Sequence, residues 1–112
     1  MTTVTIVQLV APGYLGNADA QVYTAPTQTT AKIGRAVFTN TSVSATTITA
    51  GITTGGALGG SNTLISARPI AAGESYVSPE LAGAVIPSGS QLHVFAAAAT
   101  SVTFTASGLT IV

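Results

Sequence analysis

The sequence predicts an all-β domain, a single antiparallel β-sandwich of about eight short strands, and three observations carry that expectation. Thr, Val, Ile, Ser, Gly and Ala dominate the 112 residues while Glu, Lys, Gln and Leu are sparse, a composition that favours extended segments over helices. Turn signals recur at short intervals: Ala11-Pro12-Gly13, Ala25-Pro26-Thr27, Asn40-Thr41-Ser42, Gly55-Gly56, Gly59-Gly60-Ser61-Asn62, Ala72-Gly73-Glu74 and Pro87-Ser88-Gly89. Between them, side chains alternate with the two-residue period of a strand. A chain of this length buries a two-layer core without disulfides or metal, so one domain is the expectation.

In chain order, Thr3 to Val10 is a hydrophobic strand, followed by the loop Ala11 to Asn17 with Pro12, Gly13 and Gly16. Residues 1–17 therefore read as a strand with its loop, set apart from a sandwich over 18–112. Two readings stay open: an arm adding a strand to a neighbouring subunit, or the first strand of the same domain. From Lys32 to Thr39, the set Ile33, Arg35, Val37, Thr39 opposes Lys32, Gly34, Ala36, Phe38, and neither face is purely polar. Gly55 to Ser61 is a loop whose small residues suit moulding to a partner. Pro79 to Gly83 has room for one helical turn. In Gln91 to Ala97, Leu92, Val94 and Ala96 oppose His93, Phe95 and Ala97, a strand buried on both sides. Ala96 to Ala99 is too short to nucleate a helix and reads as a strand end and turn. Val102, Phe104 and Ala106 occupy even positions and Leu109 and Ile111 odd ones; a bulge at Gly108 would keep all five on one core face.

Charge is the scarcest property of the chain. Lys32, Arg35 and Arg68 balance Asp19, Glu74 and Glu80, which is 5% charged residues against about 25% in a typical soluble domain. No basic cluster exists to neutralise phosphates, so nucleic acid is not an expected partner. A membrane is not expected either: apolar runs break well short of a spanning helix, and three Tyr and three Phe cannot furnish the girdles of a membrane barrel. The first residues lack the basic and continuously apolar regions of a secretory signal, so export by that route is not expected. A surface with so few ionic groups invites association, which points to an obligate assembly and a homo-oligomer.

The inventory for chemistry is short. His93 is the sole imidazole, sits mid-strand, and has no glycine-flanked serine elbow to serve, so it reads as a packed or edge-of-sheet histidine. Glu74 and Glu80 follow turn residues and read as surface acids. One His, three scattered acids and no Cys provide neither zinc nor calcium ligation, and Gly55 to Ser61 lacks the lysine of a phosphate loop. The Thr-x-Thr pairs at Thr3/Thr5, Thr47/Thr49 and Thr103/Thr105 follow no repeat period that an ice-binding array would need. Tyr14, Tyr23 and Tyr76 leave a sugar-stacking site open. The expectation is no enzyme and no cofactor. Arg35 and Arg68, each set in apolar sequence, read either as partners of an acid across a subunit boundary or as side chains reaching solvent.

From about Ala18 onward, the order of features resembles a broad group of small structural proteins of tailed-bacteriophage virions. The segments that carry the resemblance are Val22-Tyr23-Thr24-Ala25-Pro26, Ala36 to Ser42, Ile70 to Tyr76, Ile86 to Leu92, and Ala98 to Gly108. The resemblance implies a jelly-roll-like sandwich located in the virion and assembled in the host cytoplasm. It implies a capsid decoration, or cement, protein bound across major capsid protein subunits, with a neck or tail accessory protein as the alternative. A glycan-binding sandwich on a fibre is the alternative of another class. On this reading the candidate inter-subunit contacts are Val4, Ile6, Val7, Leu9, Arg35, Leu58 and Arg68, with the Thr3 to Val10 strand or the glycine loop touching neighbours.

Overall fold

Segments rich in Thr, Val and Ile become strands because their branched side chains fit a pleated surface, and Gly and Pro mark where the chain reverses. The computed structural model describes residues 3–112, in which nine strands form two antiparallel sheets. They are β1 (Val4–Tyr14), β2 (Gln21–Thr24), β3 (Thr30–Asn40), β4 (Thr46–Thr53), β5 (Thr63–Ile70), β6 (Ser75–Val77), β7 (Val85–Ile86), β8 (Gln91–Ala96) and β9 (Val102–Ile111). Sheet I has the order β1-β9-β3-β6, with β7 also on β3, and sheet II the order β2-β8-β4-β5.

The connections identify the sandwich type. Strands β6 and β7 both pair with β3, at Val37 to Thr39 and at Ala31 and Lys32, so they are two pieces of one strand interrupted by a loop. Counted as one, they leave eight strands, and the chain passes from sheet to sheet at nearly every connection. This is a jelly roll, as the resemblance implied. The interrupting loop holds the turn expected at Pro79 to Gly83: the Ala82 N–H donates to the Ser78 carbonyl at 3.3 Å and the Leu81 N–H to Ser78 Oγ at 3.1 Å. Gly73 and Gly89, both at positive φ, turn the chain where the Gly-containing signals placed them.

The core lies between the sheets. Phe38 of β3 and Phe104 of β9 stack with centroids 4.7 Å apart, surrounded by fully buried Ile33, Ile48, Ile70, Leu81, Ile86, Leu92, Val94 and Val102. Buried Asn40 is satisfied: its Nδ2 donates to the Ser44 and Ile70 carbonyls and its Oδ1 accepts from the Ser42 N–H and hydroxyl, which fixes the β3–β4 turn. Strand β8 is covered on both faces, with Leu92, Val94 and Ala96 in the core, His93 buried and Phe95 half-buried on the other side.

Two alternation patterns differ from the sequence expectation, for one reason. The extra residue is not in β9. Ile33 faces Gly108 and Arg35 faces Ser107, so Gly34 is the inserted residue, in β3; Gln8 faces Ser107 and Val10 faces Ala106, so Leu9 is the inserted residue in β1. Strand β9 itself runs regularly. Its even residues Val102, Phe104 and Ala106 point into the core, while Leu109 and Ile111 lie on the outer face, opposite to the core placement expected for them. In β3 the bulge splits the expected set: Ile33 is buried, Arg35 is exposed, and Ala36 and Phe38 take over the core face. Gly108 has a different role from the expected bulge, because a Cβ there would run into the Lys32 carbonyl oxygen.

Candidate interaction surface

Directly opposed residues of an antiparallel pair share a face, so the strand registers define the outer face of sheet I. At one end, Val4 of β1 lies beside Ile111 of β9, which lies beside Thr30 of β3. In the next row come Ile6, Leu109, Lys32 and Val85, and in the third Gln8, Ser107 and Arg35. Val37 and Val77 continue the face further along β3. Ile6 is 89% exposed, Val4 58% and Val85 50%. The result is an aliphatic surface that Lys32 interrupts between Leu109 and Val85 and that Arg35 borders, two of the three cations of the chain. Covering a Val, Leu or Ile side chain fully is worth about 1.5–3 kcal/mol.

The candidate contacts from the sequence fall into different places. Val4, Ile6 and Arg35 share this outer face. Val7 is half-buried against the core and Leu9 is buried within it. Leu58 is half-buried on its own chain, its Cδ2 where a side chain on Gly51 would stand. Arg68, on β5, holds its guanidinium 4.0 Å from the ring centroid of Tyr76 on β6, bridging the two sheets at the flank far from β1. Leu109, Ile111 and Val85 were missed, and their signal was available: the odd-numbered row Thr103, Thr105, Ser107, Leu109, Ile111 reads as one continuous face once Gly108 is not given a bulge.

The polar clusters are structural clasps. On sheet II, His93 Nδ1–H donates to Asp19 Oδ1 at 2.8 Å, and the Gln91 side-chain amide caps Nε2 at 2.9 Å. Asp19 Oδ2 also accepts the Leu58 N–H at 3.1 Å, so one carboxylate ties the segment before β2 and the glycine loop to β8. The hydrogen bond from His93 holds the Asp19 carboxyl below its ordinary 3.8. No serine or threonine hydroxyl bonds to His93 among the described residues. At the other flank, the Tyr76 hydroxyl donates to Glu80, which Ser78 Oγ also reaches at 3.2 Å. That hydroxyl is the main cause that lowers Glu80 from 4.5, while burial first and Glu80 second raise Tyr76 above 10.0.

Comparison with known proteins agrees with the topology. The chain is similar to a chain in the structure of infectious bursal disease virus Gx strain, with a TM-score of 0.57, 18% identity, and coverage of 99% of this chain and 32% of that one. It is also similar to the VP2 subviral particle of the same virus, with a TM-score of 0.55, 17% identity, and coverage of 98% and 32%. These are proteins of virus particles. The T13 particle of that virus matches with a TM-score of 0.53 at 12% identity. At such identities the likeness is one of fold, and the chain spans about a third of the length of the chains it matches. No family model matches the sequence, and no curated protein is similar to it.

Proposed function

We propose that this protein is a non-enzymatic virion structural component, a capsid decoration protein that binds across major capsid protein subunits through the outer face of sheet I. The observation that carries the reading is the row Ile6, Leu109, Lys32 and Val85, in which Ile6 and Val85 are exposed and Leu109 is half-buried, on a jelly roll with 5% charged residues. An exposed apolar face on so neutral a domain marks an interaction site. The structural likeness to chains of virus particles, and the sequence resemblance to small tailed-phage virion proteins, indicate the kind of assembly. A contact of this composition adds buried apolar area to a shell with little dependence on salt.

The test is to mix the purified protein with capsids that lack it and to measure bound copies at low and at high salt. Saturable binding that survives high salt, and falls at least about tenfold in Leu109→Glu, is the expected result. Absence of saturable binding, or binding untouched by Leu109→Glu, overturns the reading. Binding to isolated tails instead of heads, or to glycans by the free protein, would reassign it to the corresponding alternative role.

A further inference from the structure

The four sheet edges of the sandwich are not alike. Strand β2 has four residues, β6 three and β7 two, lengths that offer little to pair with. Strand β5 is longer but carries Arg68, turned towards Tyr76, and Pro69, and its pairing with β4 is irregular. These are the features by which edges are kept from pairing with other chains. Strand β1 is 11 residues long and outermost in sheet I, and no charged residue occurs from Thr3 to Ala18. Its register shifts and Pro12 fall after Gln8, so its first part is left regular and open.

The main-chain directions of that open part follow from its pairing with β9. Thr3 and Val112 exchange both hydrogen bonds, at 3.0 and 2.9 Å. Because bonded and non-bonded pairs alternate, Thr5 and Val7 also bond to β9, whereas Val4, Ile6 and Gln8 aim their N–H and C=O groups at the free edge. We infer that two copies of this chain join edge to edge through β1, antiparallel about a two-fold axis beside Ile6. In that register Ile6 faces its counterpart and Val4 faces Gln8 of the second copy, three facing pairs that each exchange two main-chain hydrogen bonds. Shifting the register by one pleat leaves one of the three residues without its match. The same register sets two Ile6 side chains against each other and continues the row Val85, Lys32, Leu109, Ile6 across the axis, joining the apolar faces of the two copies into one. The bulges and Pro12 confine the pairing to the first part of β1, so the association closes as a dimer and does not propagate.

This pairing is independent of the shell reading, since it is measured on the free protein. The experiment is residue-resolved amide exchange on the full chain across a dilution series, with mass measured by sedimentation. The expected result is a reversible dimer in which the Val4, Ile6 and Gln8 amides slow as concentration rises, while Thr5 and Val7 are slow throughout. Ile6→Lys, at an exposed position, raises the dissociation constant at least about tenfold. Ile6→Pro does the same, because the N–H it removes is not bonded to β9, and Ile6→Val retains the dimer. A monomer at every concentration, a dimer that persists in Ile6→Lys, or a dimer with Val4, Ile6 and Gln8 still fast would overturn the inference.

Discussion

The two outer faces of the sandwich are built from strands of similar composition and end in opposite conditions. Sheet II is furnished largely from its own chain, with Leu64 of β5 left 44% exposed: Asp19 and Gln91 occupy both ring nitrogens of His93, Leu58 lies over Gly51, and the Thr49 hydroxyl accepts the Ala67 N–H at 3.1 Å. Among the described residues, sheet I has no such cover over Val4, Ile6, Val85 and Ile111, all of which are exposed. The difference arises in the connections, because the glycine loop between β4 and β5 folds back on its sheet, while β1 and β9 meet as long strands with no loop of the described residues above Val4, Ile6 and Ile111. A face that the chain covers by itself contributes to its own stability, and the face that it leaves aliphatic is the one proposed above for contact with other subunits.

Substitutions separate the two faces. The largest effect is expected at Gly108, where a methyl group meets the Lys32 backbone and the strands must part; Gly108→Ala should cost about 2–3 kcal/mol in urea unfolding and remove the sheet I surface with it. At Gly51 the added atom meets the Asn62 carbonyl and the end of Leu58. Gly51→Ala is expected to cost about 1–2 kcal/mol and to raise amide exchange in the glycine loop, with shell binding retained.

Acid probes the clasp on sheet II. Because the folded state lowers the Asp19 carboxyl, its contribution to stability is full above 3.8 and is lost as pH falls through the folded value. Urea midpoints at neutral pH and near pH 3 should therefore drop more in the parent protein than in Asp19→Asn. The smallest effect on stability is expected on sheet I. Ile6→Ser, at a residue 89% exposed, should change unfolding by no more than about 0.5 kcal/mol and yet weaken shell binding, a separation that a residue of the core would not show.

The strands were readable where the signal is local. The turns at Gly73 and Gly89, the two-sided burial of β8 and the end of that strand near Ala96 follow from residue types and spacing. The positions of the bulges were not readable, because a bulge is a relation between two strands: the inserted Gly34 and Leu9 are visible only against Ser107 and its neighbours in β9. That single ambiguity decided the surface, since moving the bulge from Gly108 to the flanking strands carries Leu109 and Ile111 from the core to the outside. The clasp was out of reach for a similar reason, because Asp19 and His93 are joined by the fold across 74 positions. Val4, Ile6 and Arg35 were singled out from apolarity and charge alone, and the registers place them on one face.

Hydroxyl-radical footprinting of the free and the capsid-bound protein compares the two faces in one experiment. Ile6, Leu109, Ile111 and Val85 are expected to become protected on binding while Phe95, on sheet II, reacts at the same rate in both states. Protection confined to Phe95 and its neighbours, with the sheet I residues still reactive in the bound particle, would contradict the assignment of the interface.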